Sequence, residues 1–254
     1  MPRGIKQFIF AFLGILIIGA IGFGVYSLFF KNPGTCFDGV MNNGETEIDC
    51  GGLCISCDER NIQPLTASEP MVLWVDGRTL SVLFEIKNPN EKFGSDNFTY
   101  KINLYDDHDA LIKSIQKNFF IYGDETETLT EVGIDTGGEI VGYARVKIGD
   151  TSWIPVDNWK KPALKITSLE TAKENKSYKV SGRIENPNSF DITRLVVNAV
   201  LYSKEGREIA VTKSELSSAK AFRTKGFIIY VKIDPSMEKY LDLSATKFFI
   251  YAAK

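Results

Sequence analysis

Ile86-Lys87-Asn88-Pro89-Asn90 returns further along the chain as Ile184-Glu185-Asn186-Pro187-Asn188, and Ile102-Asn103-Leu104-Tyr105-Asp106 returns as Ala199-Val200-Leu201-Tyr202-Ser203. Each second occurrence follows the first by about a hundred positions and the order is kept, so Glu69 to Lys254 reads as two copies of one domain. Asn-Pro-Asn ends a strand, because proline lacks the ladder donor and presets a turn while asparagine satisfies nearby backbone groups. Leu-Tyr then sits in the next strand with one side chain on each face, ahead of a second turn at Asp107–Ala110 or Lys204–Gly206.

Around these landmarks the sequence alternates as half-buried strands do. In Thr79–Lys87, Leu80, Val82, Phe84 and Ile86 line one face, and Ser81, Glu85 and Lys87 lie mainly on the other. Similar runs are Tyr100–Tyr105, Asn118–Tyr122, Thr126–Ile134 and Ile140–Ile148 in the first copy. The second copy has Tyr178–Glu185, Arg194–Tyr202, Glu208–Lys213, Phe222–Ile233 and Ala245–Tyr251. About seven strands in roughly 90 residues predicts an immunoglobulin-like β-sandwich. The expected class is mainly β: two tandem immunoglobulin-like sandwiches over 69–157 and 158–254, with little support for helix after residue 31. Trp153-Ile154-Pro155 and Trp159-Lys160-Lys161-Pro162 lie between the copies, and the prolines stiffen that connector. The two tryptophans suit a partner site or, more simply, the packing of the interdomain junction.

Ahead of the repeats, Phe8 to Phe30 carries no charged side chain, and Ser27 is its one conspicuously polar residue. Hydrophobic residues are 44% and charged residues 24% of the 254-residue chain, so this clustering, not the average, is the membrane signal. At about 1.5 Å per residue such a helix crosses the roughly 30 Å hydrocarbon core with some tilt. A cleaved secretory signal has a shorter apolar region ending at a small-x-small site, whereas this run ends in Leu28-Phe29-Phe30-Lys31. A lipoprotein signal is disfavoured too, since Asn32-Pro33-Gly34-Thr35 precedes Cys36. Residues 1–31 therefore read as a cytoplasmic tip and an uncleaved transmembrane signal-anchor helix, meeting the lipid bilayer through residues 8–30. Arg3, Lys6 and the amino terminus precede the span and Lys31 alone follows it before Arg60. That asymmetry places the N-terminus in the cytoplasm and everything from about Asn32 outside a cell membrane. Ala20 and Gly24 have the small-xxx-small spacing of close helix pairs, though glycine is common in membrane helices generally.

Residues 32–68 form an expected neck holding all four cysteines, Cys36, Cys50, Cys54 and Cys57. An even count in a segment too small for a core of its own, outside the membrane, reads as two disulfides, with three pairings open. Zinc competes, but only Cys54 and Cys57 have Cys-x2-Cys spacing. Asp38, Asn42, Glu45, Glu47 and Asp49 add oxygen donors of the kind calcium takes, roughly six to eight at a time. These residue types also dominate turns for conformational reasons and no EF-hand spacing accompanies them, so turns are the favoured reading and calcium the competing one.

Two resemblances follow from these motifs. Cys36, Asp38, Gly39, Asn43, Gly44, Glu45, Asp49, Cys50, Gly51, Gly52, Cys54 and Cys57 resemble a cysteine-rich motif that recurs in secreted and surface-anchored bacterial proteins. The repeated Asn-Pro-Asn and Leu-Tyr landmarks resemble the FxLYD domain and the related type 2 late embryogenesis abundant fold, the water-stress and hypersensitive-response domain. That second resemblance covers about Val72–Ile154 and Leu164–Lys254 and implies small seven-stranded sandwiches. The chain departs from the pattern at Ile102 and Ala199, where it prefers Phe, and at Ser203, where it has Asp.

Chemistry is sparse. His108, the one histidine, sits in Asp106-Asp107-His108-Asp109, a polar turn; a lone histidine among aspartates suits a metal or a pH switch less well than a solvated turn. With the cysteines oxidised, Ser-His-Asp and Cys-His schemes have little to stand on. Gly51-Gly52 and Gly137-Gly138 lack the Gly-Lys-Ser/Thr of a phosphate loop and read as turns. Asn97-Phe98-Thr99 and Asn175-Lys176-Ser177 fit the glycosylation sequon. A net charge of -2 with no basic stripe argues against nucleic acid. The expected role is a non-catalytic binding or structural ectodomain that contacts an envelope protein or polymer through sandwich loops and edges. Envelope protection against drying or osmotic stress, or service as an accessory subunit of a membrane enzyme or secretion assembly, are the alternatives.

Overall fold

The structure, a computed structural model, describes residues 2–29 and 34–254. Two compact units compose it, Met1–Ile62 and Gln63–Lys254. Phe30, Lys31 and Asn32, which bear on the end and orientation of the expected span, lie outside the described residues, as does the amino-terminal Met1.

In the first unit, helix α1 spans Arg3–Phe29. Its apolar window has none of its residues buried, and large side chains such as Phe8, Phe10, Ile15, Ile18 and Phe23 are exposed. Length and composition make it apolar enough to cross a membrane. Ser27, the polar residue of the run, donates its hydroxyl to the Gly24 carbonyl at 3.1 Å, which satisfies the group without water. The neck that follows is mostly turns, closed by a single helical turn, α2, at Cys57–Arg60. The Ser56 hydroxyl caps that turn by accepting from the Glu59 amide.

The second unit is all strand apart from one 3₁₀ turn at Glu238–Tyr240. Its first half holds β1 (Thr66–Ala67), β2 (Met71–Trp74), β3 (Thr79–Lys87), β4 (Phe93–Tyr105), β5 (Leu111–Ile121), β6 (Thr126–Asp135) and β7 (Tyr143–Pro155). Its second half holds β8 (Lys165–Glu174), β9 (Ser177–Asn186), β10 (Arg194–Ser203), β11 (Glu208–Leu216), β12 (Arg223–Val231) and β13 (Leu241–Ala253). All pairings are antiparallel, and the same scheme runs twice. β3 lies between β2 and β6 as β9 lies between β8 and β12; β4 lies between β5 and β7 as β10 lies between β11 and β13. Each half is a sandwich of two three-stranded sheets, and β1 extends the β2 side of β3 by two residues.

The first half has seven strands, counting the two-residue β1, as expected, and the second has six, which is the first departure from expectation. β4, β7 and β13 each run 13 residues, and register shifts such as those in β4 at Ser95/Phe98 and in β10 against β13 let long strands bend without breaking. The second departure is the start of the first sandwich, which begins before Glu69: Leu65 is buried in its core, and Thr66 and Ala67 pair with β3.

Both differences lead to the Asn-Pro-Asn landmark, which does more than end a strand. Asn88 is fully buried, donates its amide to the carbonyls of Phe93 (2.7 Å) and Tyr122 (2.9 Å), and accepts from the Asn90 backbone and side chain. Asn90 then grips the incoming chain: the Gln63 amide donates to Asn90 Oδ1 and Asn90 Nδ2 donates to the Gln63 carbonyl, both at 2.8 Å. The second copy repeats the device atom for atom. Asn186 donates to Phe190 (3.0 Å) and Ala219 (2.9 Å), accepts from Asn188, and Asn188 makes the reciprocal pair with Ala163. The motif is a clasp that ties the start of each sandwich to the end of its central strand.

The Leu-Tyr landmark is followed by an equally repeated turn. Asp106 Oδ1 accepts from the amides of His108 and Ala110, both at 2.8 Å. Ser203 Oγ accepts from the amides of Glu205 (3.2 Å) and Arg207 (3.1 Å), at the same i+2 and i+4 spacing. The departure from the sequence pattern at Ser203 thus preserves the chemistry.

The halves are not beads on a connector. Along β10, Leu195, Val197, Ala199 and Leu201 belong to the core of the second sandwich, while Val196 joins the core of the first, and Val200 and Tyr202 join a third cluster with Leu83 and Val211. β10 is therefore buried on both faces. The Tyr122 hydroxyl donates to the Ala252 carbonyl at 2.9 Å, the Tyr251 hydroxyl to Thr128 at 2.5 Å, and Asn198 to Thr128 at 3.0 Å. Arg194 donates to the Asp96 carbonyl and lies over the Phe120 ring at 4.4 Å.

Candidate functional site

The predicted site residues cluster in the neck, and the structure resolves the pairing left open by spacing: Cys36 joins Cys54, and Cys50 joins Cys57. Gly51 and Gly52 sit at φ +82° and +60°, and a Cβ on Gly52 would lie 2.4 Å from the Gly44 carbonyl oxygen. Only glycine fits where the two loops cross, which accounts for Cys-Gly-Gly at that point.

Of the five oxygen donors, Asp38, Glu45 and Asp49 accept hydrogen bonds from backbone amides. Asp38 accepts from the amides of Thr35 (2.9 Å) and Val40 (2.9 Å) and from the Asn42 side chain. These bonds, the Thr35 amide foremost, hold its carboxyl below the usual carboxylate range. Asp49 accepts from the amides of Asp38 and Gly39, and Glu45 from those of Asn42 and Asp49 at 3.1 Å. Glu47 bridges to Cys50 through the backbone. Among the described residues, the groups of three ligand types drawn close together are Cys36–Glu45–Cys54 and Glu47–Cys50–Cys57. Their sulfurs are spent in the two disulfides, so neither group offers thiolates to zinc.

Other singled-out residues take structural places. Trp159 stacks on Tyr122 with centroids 4.1 Å apart and meets Phe120 edge-on; Trp153 packs on the same core. Tyr122 is the residue that reaches Ala252, so Trp159 backs the junction between halves. His108 is exposed at the tip of the β4–β5 turn. Asn97 and Asn175, the two sequon asparagines, are exposed.

Sequence reasoning missed a cleft of about 390 Å³ between the halves, lined by Met71, Leu83, Glu85, Tyr202, Glu208 and Phe249 among others. Lys247 lies over the Tyr202 ring at 4.9 Å there. It is built from strands far apart in the chain, so no local signal announces it. It also missed Glu127, 7% exposed in β6: burial first, then hydrogen bonding to Glu125, pushes its carboxyl up to about 8.

No family model and no curated protein matches this chain. Among solved structures, a red sea bream transglutaminase shares 10% identity over 69% of this chain and 28% of its own, with a TM-score of 0.26. A β-glucuronidase of glycoside hydrolase family 2 shares 8% identity over 62% of this chain and 20% of its own, with a TM-score of 0.25. The chain thus spans less than a third of either structure's length, and at that likeness neither carries an argument about catalysis.

Proposed function

We propose that this chain is a single-pass, membrane-anchored cell-envelope protein whose paired sandwiches serve as a non-catalytic binding or structural module on the extracytoplasmic side. The observation that carries the reading is the sequence of environments. A helix whose apolar window has no buried residue is followed in the chain by two disulfides, and disulfides persist where the compartment is oxidising. Arg3 and Lys6 before the helix support a cytoplasmic N-terminus. Kinship with FxLYD and type 2 late embryogenesis abundant sandwiches belongs to the same proposal, supported by the clasp and turn repeated in both halves. The contacts with an envelope protein or polymer fall to loops and edge strands, which are the exposed parts of rigid sandwiches.

The test is protease treatment of intact cells together with thiol alkylation before and after reduction. The reading expects digestion from the neck onward while a cytoplasmic marker survives, and four alkylatable thiols only after reduction. Protection of the sandwiches alongside the marker, or free thiols without reduction, would overturn it.

A further inference from the structure

The neck is built inside out. Among the described residues up to Ile62, the buried ones are Cys50 and Glu45, so disulfides and a carboxylate bonded to backbone amides replace a core. Its large apolar side chains face outward instead: Phe37 and Leu53 are each 89% exposed, with Val40, Met41, Ile48 and Ile55 also open. These are not loose loop residues. Phe37 follows Cys36 and Leu53 precedes Cys54, whose Cα atoms are held 5.5 Å apart by their disulfide. One 3.8 Å step on each side keeps the Phe37 and Leu53 Cα atoms within about 13 Å. The Asp38 and Gly39 amides bond to Asp49, which ties the Phe37–Met41 loop to the same scaffold. Apolar groups concentrated on so small a body mark a contact surface.

We propose that the neck is an interfacial wedge whose Phe37, Val40, Met41, Leu53 and Ile55 seat in the headgroup–acyl boundary of the leaflet from which α1 emerges. Lipid is the occupant because of the tether. Phe37 lies eight residues beyond the end of α1, a reach of at most roughly 29 Å fully extended, so the neck is held close to the membrane surface. Aromatic and aliphatic side chains next to a span find there a solvent that removes them from water without a protein partner. The neck carries Asp38, Glu45, Glu47, Asp49, Asp58 and Glu59 against the single cation Arg60, so the lipid it suits is zwitterionic, not anionic.

The inference rests on the anchored reading above, and the experiment separates the two. Full-length protein is reconstituted in phosphatidylcholine vesicles containing a phosphatidylcholine with a diazirine near the acyl carbonyl, irradiated, digested and mapped by mass spectrometry. Labelling of both α1 and the segments 37–41 and 53–55 is expected, reduced several-fold in the neck but not in α1 by the double variant Phe37→Ser, Leu53→Ser. Labelling of α1 alone overturns the wedge and leaves the anchor standing. Labelling of neither overturns both. Neck labelling that the double variant leaves unchanged, its disulfides verified by alkylation, overturns the assignment to these side chains.

Discussion

Asn88 and Asn186 occupy buried sites in which one carboxamide answers two carbonyls and two donors. Truncation to alanine strands those carbonyls and releases Asn90 or Asn188, and with it the incoming chain. We expect Asn88→Ala and Asn186→Ala each to cost about 2–4 kcal/mol, read as a lowered midpoint in urea unfolding of the full-length protein in detergent micelles. A loss below the scatter of surface substitutions would mean the clasp is decorative. The paired turn residues give a subtler forecast. Ser203→Ala removes two acceptor contacts at a cost of about 1 kcal/mol, whereas Ser203→Asp is tolerated because Asp106 already performs that role. The replacement should also import a pH dependence. Hydrogen bonds from Ala110 and His108 depress the Asp106 carboxyl below its ordinary value. Its contribution is therefore complete above the unfolded value and is lost as pH falls through the lower folded one. Ser203→Asp should steepen acid destabilisation, which parallel melts from neutral to acidic pH would reveal.

At the scale of elements, β10 shows both what was legible in the sequence and what was not. Its landmark Leu-Tyr pair, and the alternation of β3, announce strands with defined faces, and β3 falls over Thr79–Lys87 as its alternation predicts. The run Leu195-Val196-Val197-Asn198-Ala199-Val200-Leu201-Tyr202, however, is buried at every position, and a continuous run says only that both faces are covered, not by what. Alternation was equally silent on how far β4 and β13 extend, because bulges absorb the polar interruptions. In the neck, four cysteines and five oxygen donors were visible, but their pairing depends on loops crossing in three dimensions. β11 offers a test of the hidden face. Lys213, on β11, bonds Glu131 of β6 at 3.0 Å, and the buried Tyr100 hydroxyl donates to the same oxygen at 2.5 Å. With the pair's side chains only 14% and 11% exposed, Lys213→Met leaves a carboxylate short of its counter-charge. We expect a loss of about 3 kcal/mol, recovered in good part by adding Glu131→Gln. An additive double variant would show that the two residues do not act as a pair.

For the second unit as a whole, the question is whether two copies of a domain behave as two. A simple tandem array would expose, in each separated half, surfaces already fit for water. Here Val196, Val200, Tyr202 and Tyr251 are buried against the first half, and the hydroxyls of Tyr122 and Tyr251 reach carbonyls across the junction. Separating the halves would uncover apolar strand faces and leave these polar groups to re-solvate, so neither half has a reason to melt alone. Calorimetry of the full-length protein should give one transition with equal calorimetric and van't Hoff enthalpies, where independent domains would give two. The pH at which this unit is strongest should carry the mark of Glu127, whose charge adds to the burial that chiefly raises the Tyr122 and Tyr251 phenols. A carboxyl held up to about 8 binds its proton more tightly folded than unfolded. Its favourable contribution is whole below the ordinary carboxylate range and disappears as pH climbs towards 8, where a charge must be kept in a buried site. Glu127→Gln cannot ionise, so the single transition should lose less of its midpoint between mildly acidic and mildly alkaline pH than wild type does. Identical slopes for the two proteins would mean that Glu127 is ionised and solvated in the folded state, and that the junction is wetter than its packing indicates.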